Sequence, residues 1–258
     1  MGEFYYQRGM NEMGEKEYER AEQDMRRSLA LDPTLGGPYA VLGAIRKVRP
    51  APGRTEPDRD AMVGFWERAL DRDPDLTGVY EQLGNLCMSE GNYDQARQLY
   101  GRGLERDPSA ATLLRRIGAA CAMLGREQDA IVWFSKAVRY DQTDPQALDG
   151  LGQSYHAAGD LKRARVALER SVALKESDQN VLHLGLVEAE SGRMERAVRL
   201  LRRSLQLEPD NAEAAFYLGE LLRETGSNQA EALELWRRAA QGGYPPAQDS
   251  LRALGKPN

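Results

Sequence analysis

The chain of 258 residues has little of the chemistry that metal, redox and catalytic sites require. It contains two histidines and two cysteines, and their spacing matches neither a zinc site nor a His-Glu-x-x-His segment. Neither His156 nor His183 stands in a spacing typical of a nucleophile and its base. We therefore expect no catalytic residue, no bound metal and no cofactor.

Phosphate-binding loops are also missing. Gly150 and Gly152 are close together, but they lie in a predicted helix pair with no strand before them, and no Walker-type lysine loop occurs. Enzymatic function and a small-molecule substrate are both disfavoured on this ground.

No apolar run approaches the ~20 residues of a membrane-spanning helix, and no secretory signal pattern opens the chain. Phe4, Tyr5 and Tyr6 already have the character of packed helical positions. This early start indicates that a natural leader has been trimmed. We expect no membrane insertion and a cytoplasmic location, or a periplasmic or lipid-anchored one if the N terminus is truncated.

The charge balance argues against nucleic acid as a partner. Lys and Arg together number 35, Asp and Glu 40, and the formal net charge is −5. A protein that binds the phosphate backbone needs a basic stripe, and a mildly acidic chain does not provide one.

The chain does contain a small residue that recurs at a regular interval. Seven glycines are separated by 34, 41, 34, 34, 33 and 34 residues. They are Gly9, Gly43, Gly84, Gly118, Gly152, Gly185 and Gly219. Self-similarity at this period is typical of helical hairpins stacked into a solenoid. Cys87 and Cys121 share one phase of successive units, too far apart for a disulfide, so we predict two buried thiols.

The clearest unit runs from residue 75 to 108. Gly84 and Ala96 are predicted to lie where two antiparallel helices cross, with Tyr100 beside them and Gly91 in the turn. The pattern is carried by Tyr80, Leu83, Gly84, Gly91, Tyr93, Ala96, Tyr100 and Pro108. It resembles the tetratricopeptide repeat almost position for position.

The resemblance covers seven units and implies an all-α, right-handed superhelical solenoid of antiparallel helix pairs with a C-terminal capping helix. Residues 1–258 would form a single array. The expected repeats are 2–35, 36–76, 77–110, 111–144, 145–177, 178–211 and 212–245, followed by a cap at 246–254.

The second unit departs from the family by an insertion at 48–58. Three prolines and a glycine exclude helix there, so we predict a loop that joins the two helices. The loop is either an inert surface excursion or a recognition element in which Arg49 and Arg54 contact a partner. The candidates for capping the next helix are Thr55, Asp58 and Asp60.

In tetratricopeptide arrays the first helix of each pair lines the concave wall. The wall positions are three residues before the repeat glycine, one after it and four after it. The partner-binding residues predicted from this phase are Tyr6, Met10, Glu81, Asn85, Met88, Arg115, Asp149, Gln153, His156, Leu182, Leu186, Phe216, Glu220 and Arg223.

The same phase places Ala40, Ala44 and Lys47 on the wall of the second unit and Ala119 and Ala122 on that of the fourth. The small side chains are expected to leave room there. The wall is apolar at both ends and polar in the middle, as a bound peptide or helix requires. Packing between hairpins is the alternative for four residues, Tyr6, Met10, Leu182 and Phe216.

A subset of the family grips a C-terminal carboxylate with Lys and Asn on this wall. The positions that match the lysine hold Tyr6, Ala40 or Glu81, and only Asn85 fits the Asn position. The clamp is therefore disfavoured.

The resemblance implies a non-enzymatic scaffold or adaptor that binds a protein or peptide in its concave groove. The alternative is an accessory subunit of a bacterial envelope machine, of the pilus or secretin type, from which the anchor has been removed. An enzyme is the least favoured class.

Overall fold

All regular structure in the computed structural model, which describes residues 1–14, 17–49 and 58–254, is α-helical. These residues form fifteen helices and no strand, which confirms the predicted all-α class. The helices are α1 (Gly2–Gly14), α2 (Tyr18–Leu31), α3 (Gly37–Val48), α4 (Arg59–Arg72), α5 (Thr77–Ser89), α6 (Tyr93–Arg106), α7 (Ala111–Met123), α8 (Glu127–Tyr140), α9 (Pro145–Ala157), α10 (Leu161–Leu174), α11 (Asp178–Glu190), α12 (Met194–Leu207), α13 (Ala212–Glu224), α14 (Gln229–Gln241) and α15 (Pro245–Leu254).

The chain forms two compact units, which we name unit 1 (Met1–Ala120) and unit 2 (Cys121–Asn258). In unit 1, α1 packs on α2, α3 on α4 and α5 on α6; in unit 2, α9 packs on α10, α11 on α12 and α13 on α14. First helices of successive hairpins also touch, as α1 and α3 do in unit 1 and α9, α11 and α13 do in unit 2. We refer to the odd-numbered helices of a unit as its odd layer.

The hairpins close because a small residue on one helix faces a large one on the next. A Cβ atom added to Gly84 would overlap the ring of Tyr100, which is completely buried beside Ala96. Gly43 stands in the same relation to the indole of Trp66. The predicted helix crossing is therefore confirmed, and any larger side chain at these glycines would force the two helices apart.

The turn inside a hairpin uses glycine for its backbone conformation. Gly91 has a φ of +76°, in the left-handed region that other residues rarely adopt. After the second helix, Asp107 turns the chain by accepting hydrogen bonds from the backbone N–H of Ser109 at 3.0 Å and from its hydroxyl at 2.6 Å. These bonds lower the pKa of Asp107.

One connection in unit 2 lacks this aspartate turn. Between α10 and α11 the side chain of Asn180, which is nearly buried, donates to the Ser171 hydroxyl at 2.9 Å and to the carbonyl of Lys175 at 2.8 Å. Ser177 and Asn180 also cap α11 reciprocally. A buried amide thus takes the place that an aspartate turn holds after α2, α4, α6 and α8.

The insertion of the second repeat is described only at its ends. Helix α3 continues through Val48, one residue into the predicted loop. Asp58 caps α4 by accepting from the backbone N–H of Ala61 at 3.3 Å, so one of the three capping candidates does serve. Arg54 lies outside the described residues.

The C-terminal helix α15 packs on α14 as the predicted cap. Ala247 is completely buried with Ala215 and Ala239. Cys87 and Cys121 are both buried thiols outside any disulfide, as predicted. No helix among the described residues has the length and apolar character needed to cross a membrane.

Candidate partner-binding groove

The odd layer of unit 1 contains an open groove of about 590 Å³. Residues from α1, α3 and α5 form its walls, and the segment before α5 forms one end. We define the unit 1 groove by its lining residues Met13, Tyr18, Ala40, Ala44, Lys47, Val48, Trp66, Asp75, Leu76, Thr77, Gly78, Val79 and Gln82.

The groove exists because α3 presents small side chains where its neighbours present large ones. Ala40 and Ala44 lie one turn apart on α3, and the floor beside them is the indole of Trp66. Trp66 is 1% exposed and its Nε1 donates to the carbonyl oxygen of Ala40 at 3.3 Å. The floor is therefore held by a hydrogen bond as well as by packing.

The two charged groups on the groove rim have different partners. Lys47 Nζ donates to the side-chain oxygen of Gln82 at 3.0 Å, a neutral amide. Asp75, which comes before α5, lies 3.6 Å from the guanidinium of Arg106. The acidic side of the rim is thus neutralised, while the basic side keeps its charge.

In the odd layer of unit 2, polar side chains satisfy one another across α9 and α11. His183 Nδ1 lies 2.9 Å from a carboxylate oxygen of Asp149, which also accepts from Gln153 at 2.9 Å. His156 Nε2 lies 2.8 Å from Glu190. We name these five residues the unit 2 ladder. Three of them, Asp149, Gln153 and His156, are predicted wall positions, and the structure brings them together.

The prediction for Leu182 is wrong. Its side chain is fully buried in a core with Leu201 and Leu218, and Leu186 is half-buried against the same core. The wall phase places Leu182 on α11 correctly, but α12 and α13 cover that side of the helix. Leu182 therefore stabilises the stack and is not available to a partner.

The other apolar wall residues divide between packing and exposure. Tyr6 is half-buried with its ring against Gly37, and burial raises the pKa of its phenol. Phe216 lies 5.3 Å from the ring of Tyr244, measured between centroids, in the cluster beneath α15. Met10, by contrast, is 42% exposed. Tyr6 and Phe216 are therefore largely occupied by packing between hairpins, whereas Met10 stays exposed.

The polar wall residues of α5 and α7 are also partnered. Glu81 forms an ion pair with Arg116 at 3.3 Å. Asn85 accepts from the Tyr100 hydroxyl at 2.8 Å, and burial raises the pKa of Tyr100 to about 12. Met88 and Arg115 are half-buried.

The remaining predicted contacts of the described residues are ion pairs. Glu220 and Arg223 pair with each other on α13 at 3.3 Å, and the Arg223 guanidinium lies 5.6 Å from the Trp236 ring. Arg49 follows α3 and pairs with Glu19 at 2.6 Å.

Sequence reasoning did not select three residues that these contacts bring forward, namely Gln82, Arg116 and His183. Each lies two residues before a repeat glycine. Arg116 contacts Glu81, and His183 contacts Asp149. Glu81 and Asp149 each lie three residues before the glycine of the previous repeat. A polar residue three positions before one repeat glycine, followed by another two positions before the next, is the sequence signal that identifies such pairs.

The arrangement offers docking surface and hydrogen-bonding groups. No group of three or more His, Cys, Asp or Glu side chains in the described ranges is arranged to hold a metal ion. The described odd layers present an open apolar groove in unit 1 and a polar ladder in unit 2.

The hairpins, their small-residue crossings and their glycine turns define a helical repeat protein of the kind that mediates protein interactions. A tetratricopeptide repeat profile matches residues 82–147 and 182–248, which is more than half of the chain. A second tetratricopeptide profile matches residues 2–35 and 145–178. The chain belongs to the tetratricopeptide repeat family.

Two curated relatives share short stretches with the chain. The probable biofilm formation methyltransferase WspC of Pseudomonas aeruginosa is 38% identical over 86 residues, 33% of this chain. The CTR9 homolog of Arabidopsis thaliana is 32% identical over 98 residues, 35% of this chain. The matched stretch spans only 20% and 9% of their lengths, so the activity in the first name belongs to that protein.

Solved structures with the same fold match over most of both lengths. PilF of Pseudomonas aeruginosa has a TM-score of 0.72 at 16% identity, covering 85% of this chain and 97% of its own. PilW, a type IV pilus biogenesis factor, has a TM-score of 0.69 at 17% identity, covering 84% and 98%. At these identities the likeness concerns the fold.

Proposed function

We propose that the protein is a non-enzymatic adaptor that binds a peptide or helical segment of a partner protein on its odd layer. The unit 1 groove is the anchoring site. The observation that carries this proposal is an open cavity of about 590 Å³ with apolar walls on the odd layer. Clefts of roughly 300–1,000 Å³ with apolar walls and few polar groups are typical of small-molecule sites, and hydrophobic grooves also bind amphipathic helices of partner proteins.

The shape of the groove favours a segment of protein as its occupant. It follows α3 for two turns, from Ala40 to Lys47, between helices on either side. A groove between parallel helices suits the apolar face of an amphipathic helix. Exposed Met10, also in unit 1, would add a contact elsewhere on the partner.

A random peptide library displayed on phage tests this proposal. We expect peptides selected on the wild-type chain to lose binding to Ala44→Trp, because the indole would fill the groove. Ala30→Trp places the same ring on an exposed position of α2, outside the groove lining, and serves as the matched control. Selected peptides that bind both variants equally well would refute the groove as the binding site. Circular dichroism would verify that each variant keeps the wild-type helix content.

The second candidate is an accessory subunit of a bacterial envelope machine. Its support is the fold likeness to PilF and PilW over most of both lengths. At this identity the likeness concerns the fold and says nothing about partners. Genomic sequence upstream of Met1 discriminates the two candidates. A lipobox cysteine there would favour the envelope role, and a cytoplasmic location stays a prediction until then.

A further inference from the structure

The lysine on the rim of the unit 1 groove has an unusual partner for this part of the chain. Arg46, its neighbour in α3, forms an ion pair with Glu22, and Arg49 pairs with Glu19. Lys47 is exposed, and its ammonium group bonds only to the neutral amide of Gln82 among the described residues. An ammonium has three donors, so Lys47 keeps both charge and bonding capacity for a ligand.

The position of Lys47 sets where a complementary charge would lie. Lys47 is three residues beyond Ala44, about 4.5 Å farther along the helix axis, at the C-terminal end of α3. Asp75 and Leu76 line the other end of the groove. The Asp75 carboxylate is already paired with Arg106 and offers no cation to a ligand, whereas a carboxylate at the α3 C-terminal end would be attracted by Lys47.

We propose that the unit 1 groove selects an acidic amphipathic helix of a partner protein. A large apolar side chain of that helix would lie over Ala44 and Trp66. An Asp or Glu one helical turn away, at i+3 or i+4, would bind Lys47, because residues at this spacing share one helix face. The inference rests on the proposed function and adds the chemistry of the partner.

The test uses the full chain and peptides selected from the phage library. We expect selected peptides to be enriched in a large apolar residue with Asp or Glu three or four positions away. A fluorescein-labelled copy of one such peptide and its Glu→Gln twin would be compared by fluorescence anisotropy. We expect the twin to bind about three- to tenfold more weakly, as for a partly exposed ion pair.

Charge reversal on the protein gives the reciprocal measurement. Lys47→Glu should weaken the acidic peptide by about tenfold or more and should abolish the preference for the acidic peptide over its twin. Lys162→Glu makes the same charge change at an exposed position of α10 in unit 2 and should leave the dissociation constant unchanged. A fall in helix content of Lys47→Glu would be checked with Lys47→Met, which removes the charge but keeps the length of the side chain.

The outcomes separate this inference from the proposed function. Suppose that Ala44→Trp blocks the selected peptides but that they show no acidic preference, or that Lys47→Glu binds them as well as the wild type does. Either result would overturn the inference and leave the adaptor function standing. Peptides insensitive to Ala44→Trp would overturn both. Dependence on Ala44, on the peptide carboxylate and on Lys47 together would establish the proposed specificity.

Discussion

The odd layers of the two units place different side chains at equivalent repeat positions. Three residues before the repeat glycine, unit 1 has Ala40 and unit 2 has Leu182; one residue after it, the pair is Ala44 and Leu186. The alanines leave a groove, whereas Leu182 is completely buried and Leu186 half-buried. The repeat fold thus fixes where these residues lie, and side-chain volume decides whether the surface is open or closed.

The polar positions differ in the same way. Four residues after the glycine, Lys47 of unit 1 meets neutral Gln82, while His156 of unit 2 meets Glu190. The unit 2 ladder therefore satisfies its own polar groups, and the unit 1 rim leaves a cation available. An unsatisfied charge next to apolar surface is what a binding site needs for both affinity and orientation.

The largest expected effect concerns the closed face of unit 2. Leu182→Ala should lower the free energy of unfolding by about 3 kcal/mol, because a fully buried leucine is lost and a cavity remains. Ala40→Leu, at the equivalent position of unit 1, should change it by less than about 1 kcal/mol, since the groove has room. Urea unfolding followed by circular dichroism measures both. Equal costs for the two variants would contradict the contrast between an open and a closed face.

The second expected effect is a pH dependence of stability that comes from Tyr100. The equivalent position in unit 2 holds Leu168, which has no group to titrate. The Tyr100 pKa is raised from 10.0 to about 12 by burial. Between these values the unfolded chain loses the phenolic proton while the folded chain keeps it, so stability falls as pH rises. We expect the wild type to lose about 2 kcal/mol more than Tyr100→Phe across this range.

The control is the same comparison of Tyr100→Phe with the wild type at neutral pH. There Tyr100→Phe should be less stable than the wild type by about 1 kcal/mol, because Asn85 loses its donor. Urea midpoints at both pH values give the two differences. Parallel pH profiles for the wild type and the variant would show that Tyr100 does not titrate abnormally.

The third effect compares two buried tryptophans that occupy the same repeat position. Trp66 Nε1 donates to the carbonyl of Ala40, whereas Trp236 Nε1 has no hydrogen-bond partner among the described residues. Trp66→Phe and Trp236→Phe remove equal volume, but only the first removes a hydrogen bond. We expect Trp66→Phe to cost about 1 kcal/mol more, measured by urea unfolding. A larger cost for Trp236→Phe would contradict this assignment.

The smallest effect is the coupling inside the unit 2 ladder. A double-mutant cycle with Asp149→Asn and His183→Gln should give about 0.5–1 kcal/mol, as for partly exposed pairs. The matched cycle in unit 1, with Lys47→Met and Gln82→Leu, should give about 0.5 kcal/mol or less. Thermal or urea unfolding of the wild type and the three variants in each cycle supplies the values. A larger coupling in unit 1 would mean that Lys47 is already satisfied.

Much of the hairpin could be predicted from sequence because its determinants are local. Gly84, Ala96 and Tyr100 recur at fixed spacing, and a helix crossing requires a small residue opposite a large one. The wall phase identified Asp149, Gln153 and His156 for the same reason. It failed for Leu182, because exposure of a helical residue depends on the neighbouring hairpin as well as on its own helix.

The sequence by itself determined the repeat: the period of its small residues, the glycine turns and the alternation of first and second helices follow from backbone sterics and side-chain volume within about 34 residues. Only the tertiary structure decided that Lys47 meets Gln82, that His183 meets Asp149 and that Leu182 is covered. These contacts join residues of different hairpins, whose register is set by packing and cannot be read from any one repeat.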